Sequence, residues 1–291
     1  MKNIVKFLVV YVTYLIVFIL VNGMMPYSQA FMEASARTTA GPLDLLYVAI
    51  SCLWFSSTIC YTVSHTKWKG AKLALGVIAM ISLVHPVLTQ IETLFFGSAF
   101  AIISKSDILL IMLANILPLL ASVPLAVKMW SKGKSNESVS VSPIDMKKLL
   151  ISISMVGIAY MIIYFVFGYF IAWKSEAVRI FYSGTSHDIG FWAKLRENWR
   201  ENPAIYPFQF MRGVLFGGAA SLLLFMGWSR RGDFIINICL IYLCTAVVLI
   251  IPNFLFPDAV RWAHFIEMFL SMLLFGMMTG LIMTHDPLRK Y

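Results

Sequence analysis

The stretch AVRWAHFIEMFLSMLLFGMMTGLIM, residues 259–283, decides the fold class of this chain. It is long enough to cross a bilayer, because about 20 predominantly apolar residues suffice for a spanning helix. Near its start, however, it contains Arg261, His264 and Glu267. Ionisable groups at membrane depth cost roughly 2.5–3.5 kcal/mol each on lenient insertion scales, so they usually face a bundle interior and serve a site. The stretch therefore predicts both a membrane span and a candidate functional site.

Seven further stretches of similar character precede it: 4–24, 43–63, 73–96, 108–127, 149–173, 205–228 and 234–256. Hydrophobic residues make up 60% of the 291 residues and charged residues only 13%, which lies outside the balance of a soluble domain. The sequence therefore predicts an all-α, polytopic transmembrane bundle of about eight helices. We interpret 1–291 as one integral membrane domain, with four helices within 1–130, a cytoplasmic linker at 131–147 and four helices within 148–291.

The distribution of basic residues predicts the orientation of the chain. The net charge is +9, and most lysines and arginines fall in alternate connections between the apolar stretches. The short connections on the other side carry only Arg37, Lys105 and Arg261, so the positive-inside rule places both termini in the cytoplasm. No basic stripe with stacking aromatic residues accompanies the charge, and nucleic acid is therefore not an expected partner. Compact loops and a short chain favour the bacterial inner membrane.

The longest connection on the outer side, residues 174–202, contains its own amphipathic pattern. Phe191, Trp192, Leu195 and Trp199 recur at helical spacing among charged residues. Large apolar side chains on one face of a polar helix are typical of helices that lie in the membrane interface. We therefore expect an interfacial helix on the outer surface.

Three pairs of polar residues occur within the apolar stretches at spacings that return to one helix face: His85 and Glu92, Gln209 and Arg212, and His264 and Glu267. At 1.5 Å per residue, four of the five ionisable members lie roughly 6–12 Å below the outer boundary, and His85 lies about 16 Å below it. Neutral polar residues alone occupy the inner half. A through-membrane carrier would be expected to mark its whole path, so this pattern favours a site open to the outer leaflet.

The residue types predict an intramembrane hydrolase or transferase, although the sequence leaves open whether the protein is an enzyme at all. In this hypothesis the catalytic residues are Glu267 or Glu92 as general base, with His264 and His85 as proton-transfer groups. Arg212, Arg261 and Gln209 would bind the substrate. Because a guanidinium donates parallel hydrogen bonds to phosphate or carboxylate, the expected ligand is an anionic lipid or a lipid-linked anion.

Three alternatives remain at this point. The two histidines and two glutamates, His85, Glu92, His264 and Glu267, would be the ligands if a metal is present, although no recognised metal motif occurs. A transporter or permease of a small solute or ion is a second functional class. A non-catalytic sensor, immunity or assembly protein is a third, in which the charged groups only pair with one another. Nothing in the sequence identifies a cofactor or an oligomeric state.

The segment Gln209-Phe-Met-Arg212-Gly213-Val-Leu-Phe-Gly217 resembles the Arg-Gly helix of the CAAX-type intramembrane glutamate proteases. In that family paired glutamates precede the arginine by five and four residues. This chain has Pro207 and Phe208 there. The resemblance covers one helix and lacks the family's base, so the protease activity is not carried over.

Overall fold

The computed structural model describes residues 2–38, 41–100, 102–130 and 144–285. In this part of the chain eight helices are long and apolar enough to cross a membrane, and they coincide with the eight predicted stretches. The predicted all-α bundle is confirmed, and the chain is an integral membrane protein. Most of the predicted linker, residues 131–143, lies outside the described residues.

Five of the spans are single α-helices, and three contain a change of helix type. The single helices are α1 (Lys2–Met24), α3 (Asp44–His65), α6 (Lys105–Trp130), α10 (Ile205–Met226) and α12 (Asp258–Thr284). The composite spans are α4 (Gly70–Ser82) joined to α5 (Leu88–Phe95) by a π-helical turn, α7 (Met146–Phe167) extended by a π-helical turn, and α11 (Arg231–Val247) extended by a 3₁₀ turn. The π-helical turns cover Leu83–Val87 and Gly168–Ala172.

In the described part of the chain, three short α-helices lie in the connections at the predicted outer end. They are α2 (Gln29–Ala36), α8 (Glu176–Ser183) and α9 (Phe191–Glu201). The last of these is the amphipathic helix that the sequence predicts between the fifth and sixth spans.

Proline and glycine set several helix boundaries. The seventh span ends at Ile250 rather than at residue 256, since Pro252 follows it, and α12 begins directly after Pro257. Proline lacks the N–H that continues a helix and fixes its own backbone angle. At the opposite end of the bundle, α10 ends at Gly227, whose φ of 75° suits a residue without a side chain. The two prolines thus lie in the chain reversal that brings α11 and α12 side by side.

Glycines allow α10 and α7 to approach closely beside the candidate site. A Cβ added to Gly213 would lie 2.6 Å from Cβ of Tyr160 and 2.8 Å from Cα of Gly157. One turn further, Gly217 packs against Ile153. Small residues in membrane helices permit such backbone contact, and here the partner helix belongs to the same chain. Arg212, next to Gly213, is thereby held against α7.

Glycines also allow α12 and α11 to approach closely. Gly276 lies against Cys239, and Gly280 lies against Ile235, each at distances that leave no room for a side chain. Gly213 with Gly217 and Gly276 with Gly280 are GxxxG spacings, and both serve packing within the chain.

Helices from the two halves of the chain share one buried apolar core. That core contains residues of α1, α3, α4 and α6 together with residues of α7, α10, α11 and α12. A direct hydrogen bond also crosses between the halves, from Trp54 Nε1 on α3 to the carbonyl of Leu240 on α11 at 3.0 Å. The candidate site therefore lies in a single packed body to which both halves contribute.

Candidate functional site

The first part of the candidate site joins α5 to α10. Arg212 Nη1 lies 2.7 Å from Glu92 Oε1 and also donates a hydrogen bond to Gln209 Oε1 at 2.9 Å. The Arg212 side chain is 2% exposed, and that of Glu92 is 26% exposed. Beside this ion pair Phe95 stacks on Phe208, with ring centroids 4.0 Å apart. The structure thus brings together three of the predicted site residues: Glu92, Gln209 and Arg212.

Two buried donors of this cluster have no hydrogen-bond partner in the described structure: Arg212 Nε and Gln209 Nε2. Because a guanidinium can only donate, Gln209 must present its oxygen to Arg212, which leaves its amide nitrogen unpaired. A buried donor left in this state costs about 1–3 kcal/mol. An acceptor on an anionic ligand, or a bound water, would remove this cost. Both donors of the cluster therefore lack an acceptor among the described protein atoms.

The second part of the candidate site runs from α12 to α8. His264 Nδ1 lies 3.6 Å from Glu267 Oε2, one helical turn away, and His264 Nε2 lies 3.1 Å from the Tyr182 hydroxyl. Glu267 is buried, whereas Tyr182 is partly exposed at the end of the bundle. Which of His264 Nε2 and Tyr182 donates depends on the tautomer of the ring; with the proton on Nδ1, the nitrogen that faces Glu267, Nε2 accepts from the hydroxyl. These three side chains form a polar chain from a buried carboxylate to the surface.

Tyr182 lies outside the spanning segments, and its phenol stays protonated at neutral pH. Desolvation raises the pKa of Tyr182 above its ordinary value, and the carboxylates of Glu92 and Glu267 raise it further. The residue is 37% exposed, and its hydroxyl contacts the His264 ring. Tyr182 is therefore a neutral phenol in contact with His264 rather than a phenolate.

Both parts of the site belong to one electrostatic environment. Glu92 and Glu267 each interact electrostatically with the same two tyrosines of α7, Tyr160 and Tyr164. The Arg212 guanidinium lies 5.4 Å from the ring centre of Tyr160, within reach of a cation–π contact. Glu92 of α5 and Glu267 of α12 thus act on the same tyrosines of α7, and Arg212 of α10 packs beside one of them.

His85 lies apart from this group. Its Nε2 contacts Asn115 Oδ1 on α6 at 3.3 Å, and its ring packs edge-on against Phe55, with centroids 5.0 Å apart. The sequence spacing predicts that His85 and Glu92 share a helix face. The π-helical turn at Leu83–Val87 interrupts the regular 3.6-residue period between them, and the two residues contact different helices.

Arg261 also contacts other groups. Its Nη2 lies 2.8 Å from Asp258 Oδ1, and its Nη1 donates to the carbonyls of Ile250 at 2.7 Å and Leu249 at 3.1 Å. Those carbonyls end the preceding span and would otherwise lack partners. In the structure Arg261 therefore caps the end of the seventh span, and its predicted role in substrate binding stays a prediction.

The contacts also resolve the balance of charge within the site. Arg212 compensates Glu92, and Arg261 is held by Asp258, so neither arginine is the partner of Glu267. Among the described residues, His264 is the group within 4 Å of Glu267 that can carry a positive charge. In the described residues no three side chains of His, Cys, Asp or Glu are grouped closely enough to hold a metal ion.

Two members of the site have no signal in the sequence. Tyr182 and Tyr160 resemble the many aromatic residues near helix ends, which ordinarily anchor a span at the interface. Tyr182 could have been selected only by knowing that α8 folds back towards α12, where Val178 and Val260 are buried in one small apolar cluster.

Comparison with protein-family models, with curated proteins and with solved structures finds no match to this chain. The chemistry of the site is therefore inferred from its own geometry. That geometry consists of two parts. Glu267, His264 and Tyr182 contact one another in a row, and the buried ion pair of Arg212 with Glu92 has donors without partners beside it.

Proposed function

We propose that the protein is an intramembrane hydrolase or transferase that acts at the outer side of the membrane on an anionic lipid or a lipid-linked anion. One observation carries this proposal, the contact of His264 with buried Glu267 on one ring nitrogen and with Tyr182 on the other. A histidine oriented by a carboxylate and presenting its second nitrogen to a hydroxyl has the arrangement of a general base.

In this proposal Glu267 holds His264 with its proton on Nδ1. Nε2 then removes the proton from an attacking water or substrate hydroxyl and returns it to the leaving oxygen, so the protein is unchanged at the end of the cycle. The distance of 3.6 Å to Glu267 is long for a hydrogen bond, and catalytic contacts of this kind often tighten when substrate binds. In the absence of substrate, the Tyr182 hydroxyl occupies the position that the attacking hydroxyl takes in the reaction.

Arg212 and Gln209 supply the binding of negative charge. Their unpaired Nε and Nε2 groups donate to the phosphate or carboxylate of the substrate, and Glu92 holds the guanidinium in place. A buried cation in a dry environment stabilises developing negative charge strongly. His85 and Arg261 take part in no step of this mechanism, because their contacts lie elsewhere.

A non-catalytic membrane protein is the second candidate, and a specific observation favours it. Arg212 and Arg261 both already hold a carboxylate partner within the chain. Fixing helix register can be the single role of a buried ion pair. In that case the unpaired donors would be satisfied by water, and substitution of His264 would change no chemistry.

The experiment that tests the proposal compares lipids by mass spectrometry in cells that express the chain or a variant. His264→Gln and Glu267→Gln should abolish any change in lipid composition that the unmodified chain causes. Loss of a general base lowers the rate by roughly 10²–10⁴-fold. Tyr182→Phe should retain activity, because the substrate hydroxyl takes the place of the tyrosine.

The matched control is His187→Gln, which removes an exposed histidine of the same outer connection. It should leave the lipid profile unchanged. If the unmodified chain and all variants, each shown to be folded in detergent, give one lipid profile, the enzymatic proposal is wrong and the non-catalytic candidate stands.

A further inference from the structure

The outward face of α9 carries four exposed residues of two chemical kinds. Trp192, Arg196, Trp199 and Arg200 follow one another at intervals of four, three and one residue, which places them within one half of the helix circumference. Trp192 is 74% exposed and Trp199 is 63% exposed. Indole rings and guanidinium groups therefore alternate on a single open surface.

The other face of α9 is already occupied by the protein. Phe191 packs on Tyr169 and Phe170, at the π-helical end of the fifth span. The Tyr206 hydroxyl donates to the carbonyl of Leu195 at 2.8 Å, which ties α9 to the start of α10. These contacts fix the orientation of α9 on the protein and leave the face that carries Trp192 and Trp199 exposed.

A shallow surface cavity of about 630 Å³ lies on this face. Its lining consists of Trp192, Leu195, Arg196, Trp199, Arg200 and Tyr206. Aromatic and aliphatic carbon forms most of the wall, and two guanidinium groups are the only charges on it. In the described residues neither arginine has an ion-pair partner, whereas Lys194 of the same helix is paired with Glu197. Two uncompensated cations at the edge of an apolar cavity are complementary to an anion with a hydrocarbon body.

We propose that this cavity binds an anionic phospholipid, with the lipid phosphate held by Arg196 and Arg200 and the glycerol and upper acyl chain against Trp192 and Trp199. Tryptophan prefers the level of the lipid headgroups, and arginine binds phosphate through parallel hydrogen bonds. The volume suits part of one lipid, since ligand sites commonly measure about 300–1,000 Å³. This inference does not depend on the proposed catalytic function, because none of its residues belongs to that site.

The test uses the full chain in nanodiscs or mild detergent and counts bound lipids by native mass spectrometry during titration with phosphatidylglycerol. The unmodified chain should bind at least one phosphatidylglycerol in preference to phosphatidylcholine, and added salt should weaken this binding. Arg196→Gln together with Arg200→Gln should weaken the tightest binding step roughly 30-fold, as about 1 kcal/mol for each basic residue near the surface implies.

Two companion variants make the result specific. Arg196→Lys with Arg200→Lys keeps both charges and should recover most of the affinity, which separates loss of charge from misfolding. Lys147→Gln with Lys148→Gln removes two exposed cations at the opposite end of the bundle and should leave the tightest step unchanged. Equal affinity for both lipids, or equal losses in the arginine and lysine double variants, would overturn the proposal.

Discussion

Substitution of Glu92 and substitution of Arg212, the two partners of one ion pair, should lower the free energy of unfolding by different amounts. Glu92→Gln leaves the Arg212 guanidinium, which is 2% exposed, without its compensating charge. Removal of one partner of a buried pair costs about 3–5 kcal/mol. We expect about 3 kcal/mol, the lower end, because Glu92 is 26% exposed and water can enter at its side.

Arg212→Met should cost less. It removes the buried charge itself, preserves an unbranched apolar stem and leaves a glutamate that can reach water. Gln209 loses a partner in this variant, so we expect about 1–2 kcal/mol. In the double variant, Glu92→Gln with Arg212→Met, no uncompensated charge remains. Its loss of stability should fall below the sum of the single losses by at least about 1.5 kcal/mol.

The assay is reversible unfolding in mixed detergent micelles, followed by tryptophan fluorescence, for the two single variants and the double variant. Glu33→Gln, a neutralisation at an exposed position, is the control and should change stability by no more than about 0.5 kcal/mol. The reasoning is refuted if Glu92→Gln behaves like this control. It is also refuted if the losses from the two single substitutions simply add.

Three further predictions concern other parts of the chain. Asp107→Ala should lower the free energy of unfolding by at least about 2 kcal/mol in the same assay, because this buried carboxylate accepts hydrogen bonds at 2.6–3.0 Å from the backbone and side chains of two serines. Gly213→Ala should lower the melting temperature, since its Cβ would lie 2.6 Å from a side chain of α7, whereas Gly218→Ala, with nothing within 4 Å, should be neutral or stabilising. The hydrogen bond between Lys174 and Asp188 lowers the pKa of the carboxyl and raises the pKa of the amine, so the contact should persist from about pH 4 to about pH 10 and fail as pH falls through the lowered pKa or rises through the raised one. Hydrogen exchange of the connection at 184–190 should therefore quicken at both limits. An exchange pattern independent of pH, after correction for intrinsic rates, would contradict the assignment.

The eight spans were predictable because the bilayer imposes length and apolarity on each of them. Their number agrees with the structure, and the ends differ by a few residues. The seventh span is shorter than predicted, because hydropathy continues through 251–256 although Pro252 ends the helix. Composition records what a segment can bury, whereas the hydrogen-bonding limits of one proline decide where the helix ends.

The candidate site was only partly predictable. Regular spacing correctly paired Gln209 with Arg212 and His264 with Glu267 on their own helices. It failed for His85, because a π-helical turn changes the period and no sequence rule for straight helices includes it.

The role of Arg261 and the place of Tyr182 depend on tertiary structure. Arg261 reaches back to carbonyls of the preceding span only because the chain reverses at 251–257. Tyr182 meets His264 only because α8 folds onto α12. Periodicity describes one helix at a time, so contacts between helices that are remote in sequence lie beyond it.

An experimental structure in nanodiscs that contain anionic phospholipid tests the central claim most directly, that these groups form a ligand site. The account predicts density for a phosphate or carboxylate group within hydrogen-bond distance of Arg212 Nε and Gln209 Nε2, with His264 between Glu267 and either Tyr182 or the ligand. A structure in which both nitrogens are bonded only to protein atoms or to water would contradict it.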